Sequence, residues 1–473
     1  VADNCVIDKL GRIGARKGWE AVSSNGAAVL GSSRGIEAVF EYVKRDGTKI
    51  VFSAGNNKIF TGTSTLAAVT LPSGYSISAN NWKIVSFNND VYFFQRGHAA
   101  LVSVAGSTTL IAVADGGTAA PAANEVLAAY GRLWAADITA NKYVVYWSDL
   151  LDGDDWHGGS SGSLDLTLVW PTGFDEVVAL AAHNNFLIIF GKKSMLVYSG
   201  ASSPASMTLA DTVEGVGCIA RDSVQHTGTD ILFLSDTGVR SFGRTIQEKS
   251  MPMRDISKNI RTDLLSLIPL QTNAIKSLYS SEEAFYLLTL PDSNTVYCFD
   301  MRRQLEDGSN RVTTWSSMYP LSFVSLEGGA IYIGISSGIV EYKNYMDGAV
   351  KYEMRYFSNP MDFGNASNLK FLKKFNITII GGQNTPTTLN WGYDYSASFT
   401  KQAFTFSSSN IAEYGLAQYN TTGEYTSSIL INTPKVNTSG SGEVATIGIE
   451  AEVNGAAFSI QKIDIHALLG RLI

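Results

Sequence analysis

The feature that most constrains this chain is a unit of three short apolar runs that recurs every 42 to 53 residues. Val85–Phe87, a turn at Asn88–Asp90, Val91–Phe94, a turn at Gly97 and Leu101–Val104 form one copy. Copies with the same order are anchored at Val39, Leu127, Val178, Val224, Ser277 and Val324. The runs are β-branched or aromatic and are bounded by Gly, Asn, Asp and Ser, which is the pattern of strands and turns. A period of roughly 40–50 residues with three or four strands per unit marks a β-propeller blade. A single such sheet cannot bury both faces alone, so it must stack on its neighbours around an axis. The expected fold is therefore all-β: a propeller of about seven blades, with six or eight still open. The alternative is a β-sandwich with fortuitous spacing.

Outside the repeat the expected division is residues 1–35 as an N-terminal arm or closing strands, 36–345 as the propeller, and 346–473 as a C-terminal β domain. The last region carries strand-like runs such as Phe371–Ile380 and Ala445–Val453 with longer polar loops, which reads as sandwich-like. Thr433–Gly442, rich in Ser, Thr, Asn and Gly, reads as a mobile loop or interface arm. One segment breaks the strand rhythm. In Asp255–Ile268, Ile256, Ile260 and Leu264 fall at helical spacing, predicting a short inserted amphipathic helix that packs on the propeller or meets another subunit.

Composition narrows the function. Only 17% of residues are charged and the formal net charge is -7, so sequence-specific DNA binding is not expected. The three cysteines, Cys5, Cys218 and Cys298, are far apart, which argues against a disulfide framework or a zinc ribbon. No apolar run approaches the roughly 20 residues of a membrane span, and the chain, which begins at Val1, opens with no charged-then-apolar secretory pattern.

Catalytic motifs are weak. Gly31–Gly35 and Gly158–Gly162 match G-x-S-x-G, but neither precedes a helical pattern, which a nucleophile elbow requires. Gly191–Ser194 reads as a hairpin turn and not a phosphate loop. The Asp149, Asp152, Asp154, Asp155 cluster beside His157 lacks calcium-loop spacing and reads as a solvated acidic turn. His98, His157, His183, His226 and His466 lie in different repeats, and none is assigned a catalytic role. Lys9, Arg12, Arg16 and Lys17 form a glycine-punctuated basic cluster, a candidate contact to phosphates or to a neighbouring subunit. No catalytic residue, metal or cofactor is expected.

Several segments, in their order, carry a family resemblance. They are Leu10–Trp19, Tyr146–Asp149 with the acidic turn ending at Trp156, and Phe186–Gly191 with Met195–Tyr198. Gly215–Ala220, the pair Ile231–Ser235 and Gly238–Phe242, Ile256–Ile260, and Tyr297–Asp300 leading to Trp315 complete the series. In this order they resemble the tail nozzle or hub proteins of short-tailed bacteriophages, also described as packaged-DNA stabilisation proteins. The resemblance implies a non-enzymatic virion protein, a homohexamer at the tail end below the adaptor ring of the portal. It implies contacts with the tail adaptor, with a tail fibre or tailspike and, non-specifically, with double-stranded DNA passing along the six-fold axis. The competing expectation is a carbohydrate-binding or carbohydrate-cleaving propeller, whose mark would be convergent carboxylates and aromatics at a tunnel mouth.

Overall fold

A computed structural model describes the chain except for residues 32–34, 78–80, 172, 244, 246–254, 365–366, 397, 406–430 and 473. The chain divides into two compact units. One comprises Ala21–Arg311 with Tyr319–Glu341; the other comprises Val1–Glu20, Val312–Met318 and Tyr342–Ile473.

The first unit is a seven-bladed β-propeller. Its innermost strands are Ile36–Val43, Lys83–Phe87, Ala123–Ala129, Val177–His183, Gln225–His226, Lys276–Ser280 and Ser322–Ser325. Each begins an antiparallel meander. Blades 1 to 4 have four strands each. Each innermost strand touches the next; between blades 4 and 6 the turn Arg221–Ser223 makes the link, and the seventh strand touches the first. The seven sequence anchors all fall on or beside these strands, which settles the blade number at seven.

Turn chemistry explains why the meanders form. Asn56–Asn57, Asn88–Asn89 and Asn184–Asn185 each place two consecutive residues at positive φ. That is the requirement of a two-residue type I′ hairpin, whose twist matches the flanking strands, and Asn tolerates it better than other side chains. The apolar runs between the turns alternate strictly. Phe93 packs with Phe52 and Trp82 of the blade 1–2 core, while Phe94 packs with Val126, Leu133 and Trp156 toward blade 3. Leu187 and Ile189 face blade 3, and Ile188 and Phe190 face blade 5. A central strand covered on both faces must be apolar at every position, and these are.

Ring closure uses the start of the unit. The Val22 and Ser23 amides both donate to the Ile339 carbonyl, at 3.0 and 3.1 Å, and Ser322 Oγ donates to the Ile36 carbonyl at 2.9 Å. The short helix Gly26–Leu30, with Leu30 fully buried, was not legible in the sequence.

The inserted helix is present but shorter than expected. A 3-10 turn at Lys258–Ile260 leads into an α-helix at Arg261–Leu267, and a further 3-10 turn follows at Ile268–Leu270, where Pro269 stands. Ile256 precedes the helix; its amide donates to the Val239 carbonyl and its side chain is buried. Leu264 is fully buried and Ile260 half-buried, and the helix packs against the strand Gly238–Ser241 of its own propeller.

The second unit is a β-sandwich. One sheet contains Ala2–Asp3, Tyr352–Phe357, Ala445–Val453, Pro386–Tyr393 and Thr400–Thr405. The other contains Cys5–Ile7, Ile13–Ala15, Phe458–Leu472 and Asn368–Gly381, with Ile431–Asn432 and Lys435–Asn437 on the last of these. Met354, Leu389, Trp391 and Ile449 of one sheet meet Phe375, Ile377 and Ile379 of the other in a single core. Two expectations change here. Of the expected N-terminal arm or closing strands, Ala2–Asp3, Cys5–Ile7 and Ile13–Ala15 are strands of this sandwich, whereas Trp19–Ala21 is a closing strand of the propeller, the fourth strand of blade 7 beside Gly338–Tyr342. Thr433–Gly442 is no loose loop either: Lys435–Asn437 pairs with Lys374–Asn376, and the Ser439 carbonyl accepts the Trp391 indole N–H at 3.1 Å.

Candidate functional site

The four N-terminal basic residues do not act as a group. Arg16 is fully buried in the sandwich. Its guanidinium makes a two-pronged bond to Asp347 at 2.8 and 2.7 Å, donates to Asn4 Oδ1 at 3.0 Å and Ser317 Oγ at 2.7 Å, and lies 4.2 Å from the Tyr352 ring centre. Burial works against its charge, but the Asp347 bonds and charge more than offset this and raise its pKa. Arg16 is a brace and cannot contact DNA or a neighbour. Arg12 is tied to Asp8 at 2.6 Å and to Gln461 at 3.3 Å. Lys17 lies over the Tyr342 ring at 5.7 Å, and only Lys9 is exposed.

Other sequence candidates resolve as scaffolding. Ser160 of Gly158–Gly162 bonds Asp149 and leads into the strand Gly162–Asp165, with no helix. Ser32, Ser33 and Arg34 of the Gly31–Gly35 match lie outside the described residues. Gly191–Ser194 is a hairpin turn whose amides at Lys192, Lys193 and Ser194 all donate to the buried Asp175 carboxylate. In the acidic turn, ligand-type atoms of Asp155 and His157 lie within 4.8 Å of one another and of Asp115. Asp155 Oδ1 already accepts the amides of His157 and Gly158, which hold its pKa low.

The chemistry concentrates instead inside the propeller, at the starts of the innermost strands. The Arg221 side chain, from blade 5, reaches across to blades 2 and 3. It donates to the Asn124 carbonyl, to Asn124 Oδ1 at 3.1 Å, to Asn81 Oδ1 at 2.8 Å and to the Trp82 carbonyl at 3.3 Å. Its neighbour Asp222 accepts Arg221 and Lys276, each at 2.6 Å, with Lys83 at 3.7 Å. Glu125 stands 3.4 Å from Lys83 and 3.8 Å from Arg221. Four blades are thus cross-linked by one ionic network through the middle of the ring.

Burial divides the two acids of the network. Desolvation pushes the Asp222 carboxyl up, but Arg221, Lys276 and Lys83 together overcome it and hold the pKa far below the carboxylate range. For Glu125, 1% exposed, desolvation wins over Lys83 and Arg221, and the pKa is raised. Its Oε1 accepts the Leu180 amide at 3.3 Å, while Oε2 has no hydrogen-bond partner.

Two cavities flank this network. A cavity of about 400 Å3 is lined by Arg96, Asp137, Lys142, Glu176, Lys192 and Arg221, among others. Arg96 is paired with Asp137. A smaller one of about 150 Å3 is lined by residues including Trp82, Lys83, Gln225 and Lys276, and Asp222 borders both.

Sequence reasoning missed this site, although a signal was present. With the seven repeats aligned on their anchors, the position two residues earlier reads Glu37, Lys83, Glu125, Glu176 and Asp222 in the first five copies. A charge that recurs at the same place in five successive repeats, in or just before the innermost strand, is the signal.

No protein-family model matches the chain, and no curated protein matches it. Solved propellers do resemble it in fold. The WD40 β-propeller domain of Doa1 aligns with 69% of this chain and 96% of its own, at 11% identity and TM-score 0.40. YCF48 bound to D1 peptide aligns over 68% and 94% at 10% identity and TM-score 0.41. BamB from Moraxella catarrhalis aligns over 69% and 84% at 9% identity and TM-score 0.38. The chain shares the propeller fold with these proteins.

Proposed function

We propose that this chain is a structural virion protein, a subunit of the homo-oligomeric tail nozzle of a short-tailed phage, which helps to retain the genome and conduct it into the host. The observation that carries this reading is the state of the charges in the propeller. Asp222 is held by Arg221 and Lys276, Asp137 by Arg96, and Glu176 by Lys142 and Lys192. A glycosidase needs two reachable carboxyls, one of them kept protonated. Among the described residues two acids of the propeller have raised pKa values: Glu125, which is sealed from solvent, and Asp154, half-buried in the acidic turn, where burial and the neighbouring Asp152 push it up. Ion pairs spent on one another brace a body; they do not attack a sugar. The order of the resembling sequence segments supplies the particular role.

In this reading the DNA path runs along the axis of a ring of subunits, since each propeller's own centre is crossed by Arg221. The net charge of -7 suits a conduit that must not retain phosphates. Adaptor, fibre or spike would meet the assembled ring. Electron microscopy of the purified protein, alone and with a tail adaptor, tests the proposal. Six-fold rings are expected. A chain that stays monomeric with the adaptor and hydrolyses a glycan would overturn it.

A further inference from the structure

We propose that the larger propeller cavity is a binding site for a small organic anion, with Lys142 and Lys192 holding its carboxylate or phosphate and the apolar floor holding its body. The inference stands apart from the virion reading and does not need it.

Volume comes first. At about 400 Å3 the cavity falls within the range of small-molecule sites, roughly 300–1,000 Å3. Charge comes second. Four cations, Arg96, Lys142, Lys192 and Arg221, line it against three carboxylates, Asp137, Glu176 and Asp222. Asp222 is shared further with Lys276 and Lys83, which lie outside that lining. A positive excess is therefore concentrated at one place on a chain of net charge -7.

The geometry of the two lysines is the decisive point. Both ammonium groups sit on the same oxygen, Glu176 Oε2, Lys142 at 3.3 Å and Lys192 at 2.7 Å. One carboxylate cannot neutralise two ammonium ions, so one charge is left over. The lysine side chains are 34% and 55% exposed, within reach of a ligand. Beside them Val177, Val178, Ile219 and Ile275 line the cavity with apolar surface. Two adjacent ammonium groups over an apolar floor match an anion that carries an apolar body, because charge-assisted bonds and burial then act together. Glu176 occupies the lysines as an internal competitor.

Phenyl phosphate and benzoate are suitable probes, titrated into the full chain by calorimetry at low and high salt. Binding of at least one is expected, weakening with salt. Whichever binds more tightly separates phosphate esters from carboxylic acids as the source. Lys192→Gln and Lys142→Gln should each weaken binding about tenfold, the loss of one charge-assisted bond. Glu176→Gln should tighten it several-fold by removing the competitor. Lys193→Gln, on the same hairpin but outside the cavity, should change nothing. Unfolding midpoints of all variants establish that they are folded. The proposal is overturned if neither probe binds the wild-type chain at about 20 mM, well above the millimolar affinity expected of weak sites. It is also overturned if Lys193→Gln weakens binding as much as Lys192→Gln does.

Discussion

Replacing Asp222 by Asn should destabilise the propeller severely, and the structure sets the size. Asp222 is the shared acceptor of Arg221 and Lys276, each at 2.6 Å, with Lys83 at 3.7 Å. Arg221 is 5% exposed and Lys276 is 9% exposed at the side chain. Asn keeps the shape and one acceptor but removes the charge that offsets their desolvation. Breaking a buried ion pair from one side costs about 3–5 kcal/mol. For a domain of this size that is a fall of roughly 5–10 °C in unfolding temperature. The pH dependence has a definite sign. Because the folded pKa of Asp222 is depressed, its contribution is complete above the unfolded value of about 3.9 and declines below it by about 1.4 kcal/mol per pH unit. The gap between wild type and Asp222→Asn should therefore be constant from pH 5 to 7 and narrow in acid. Differential scanning calorimetry at several pH values reads both effects. Adding Lys276→Met to Asp222→Asn should recover part of the loss by deleting an unmatched cation. A cost under about 1 kcal/mol, the worth of an ordinary surface pair, would refute the network as a brace. So would a double variant less stable than Asp222→Asn alone.

Glu125→Gln should act in the opposite direction. A raised folded pKa means that the stability tied to the protonated form is present below about 4.3 and lost as pH rises through the folded value; the variant should melt above wild type at pH 8 and level with it at pH 4. Arg16→Met should cost the sandwich about 3–5 kcal/mol by stranding Asp347, whereas Lys9→Glu should stay within about 0.5 kcal/mol, both by urea titration. Phe93→Ala, which empties a fully buried site against Phe52, should cost about 3–5 kcal/mol in the same assay. Gly18→Ala should be poorly tolerated, since a Cβ there would stand 1.9 Å from the Met346 carbonyl oxygen, and low soluble yield would report it.

The propeller was legible because its physics is local and repeated. Asn-Asn turns, continuous apolar runs and a steady spacing each restate the same blade, and all seven anchors fall on the ring. The sandwich was half legible. Phe371–Ile380 and Ala445–Val453 declare themselves as strands, but nothing local says that Cys5–Ile7 will pair beside Ile13–Ala15 on the strand Phe458–Leu472. That is a contact between the two ends of the chain, set by packing. The same limit explains Arg16. In sequence it is one of four neighbouring cations; only the fold brings Asp347 to it. The ionic network needed the repeats to be compared column by column at charged positions, and the hydrophobic pattern alone hides it.

The path of the chain has a mechanical consequence. Glu20 ends the first sandwich segment and Ala21 begins the ring; Glu341 ends the ring and Tyr342 returns to the sandwich. Both free ends of a circular array are thus stitched into a single separate core, like the two halves of a bracelet joined at one clasp. Blade 7 cannot unzip from blade 1 and drift away, because the tether limits the volume its end can explore and keeps reclosure entropically cheap. A ring fastened in this way keeps its two ends near one another for as long as the fastening stays folded.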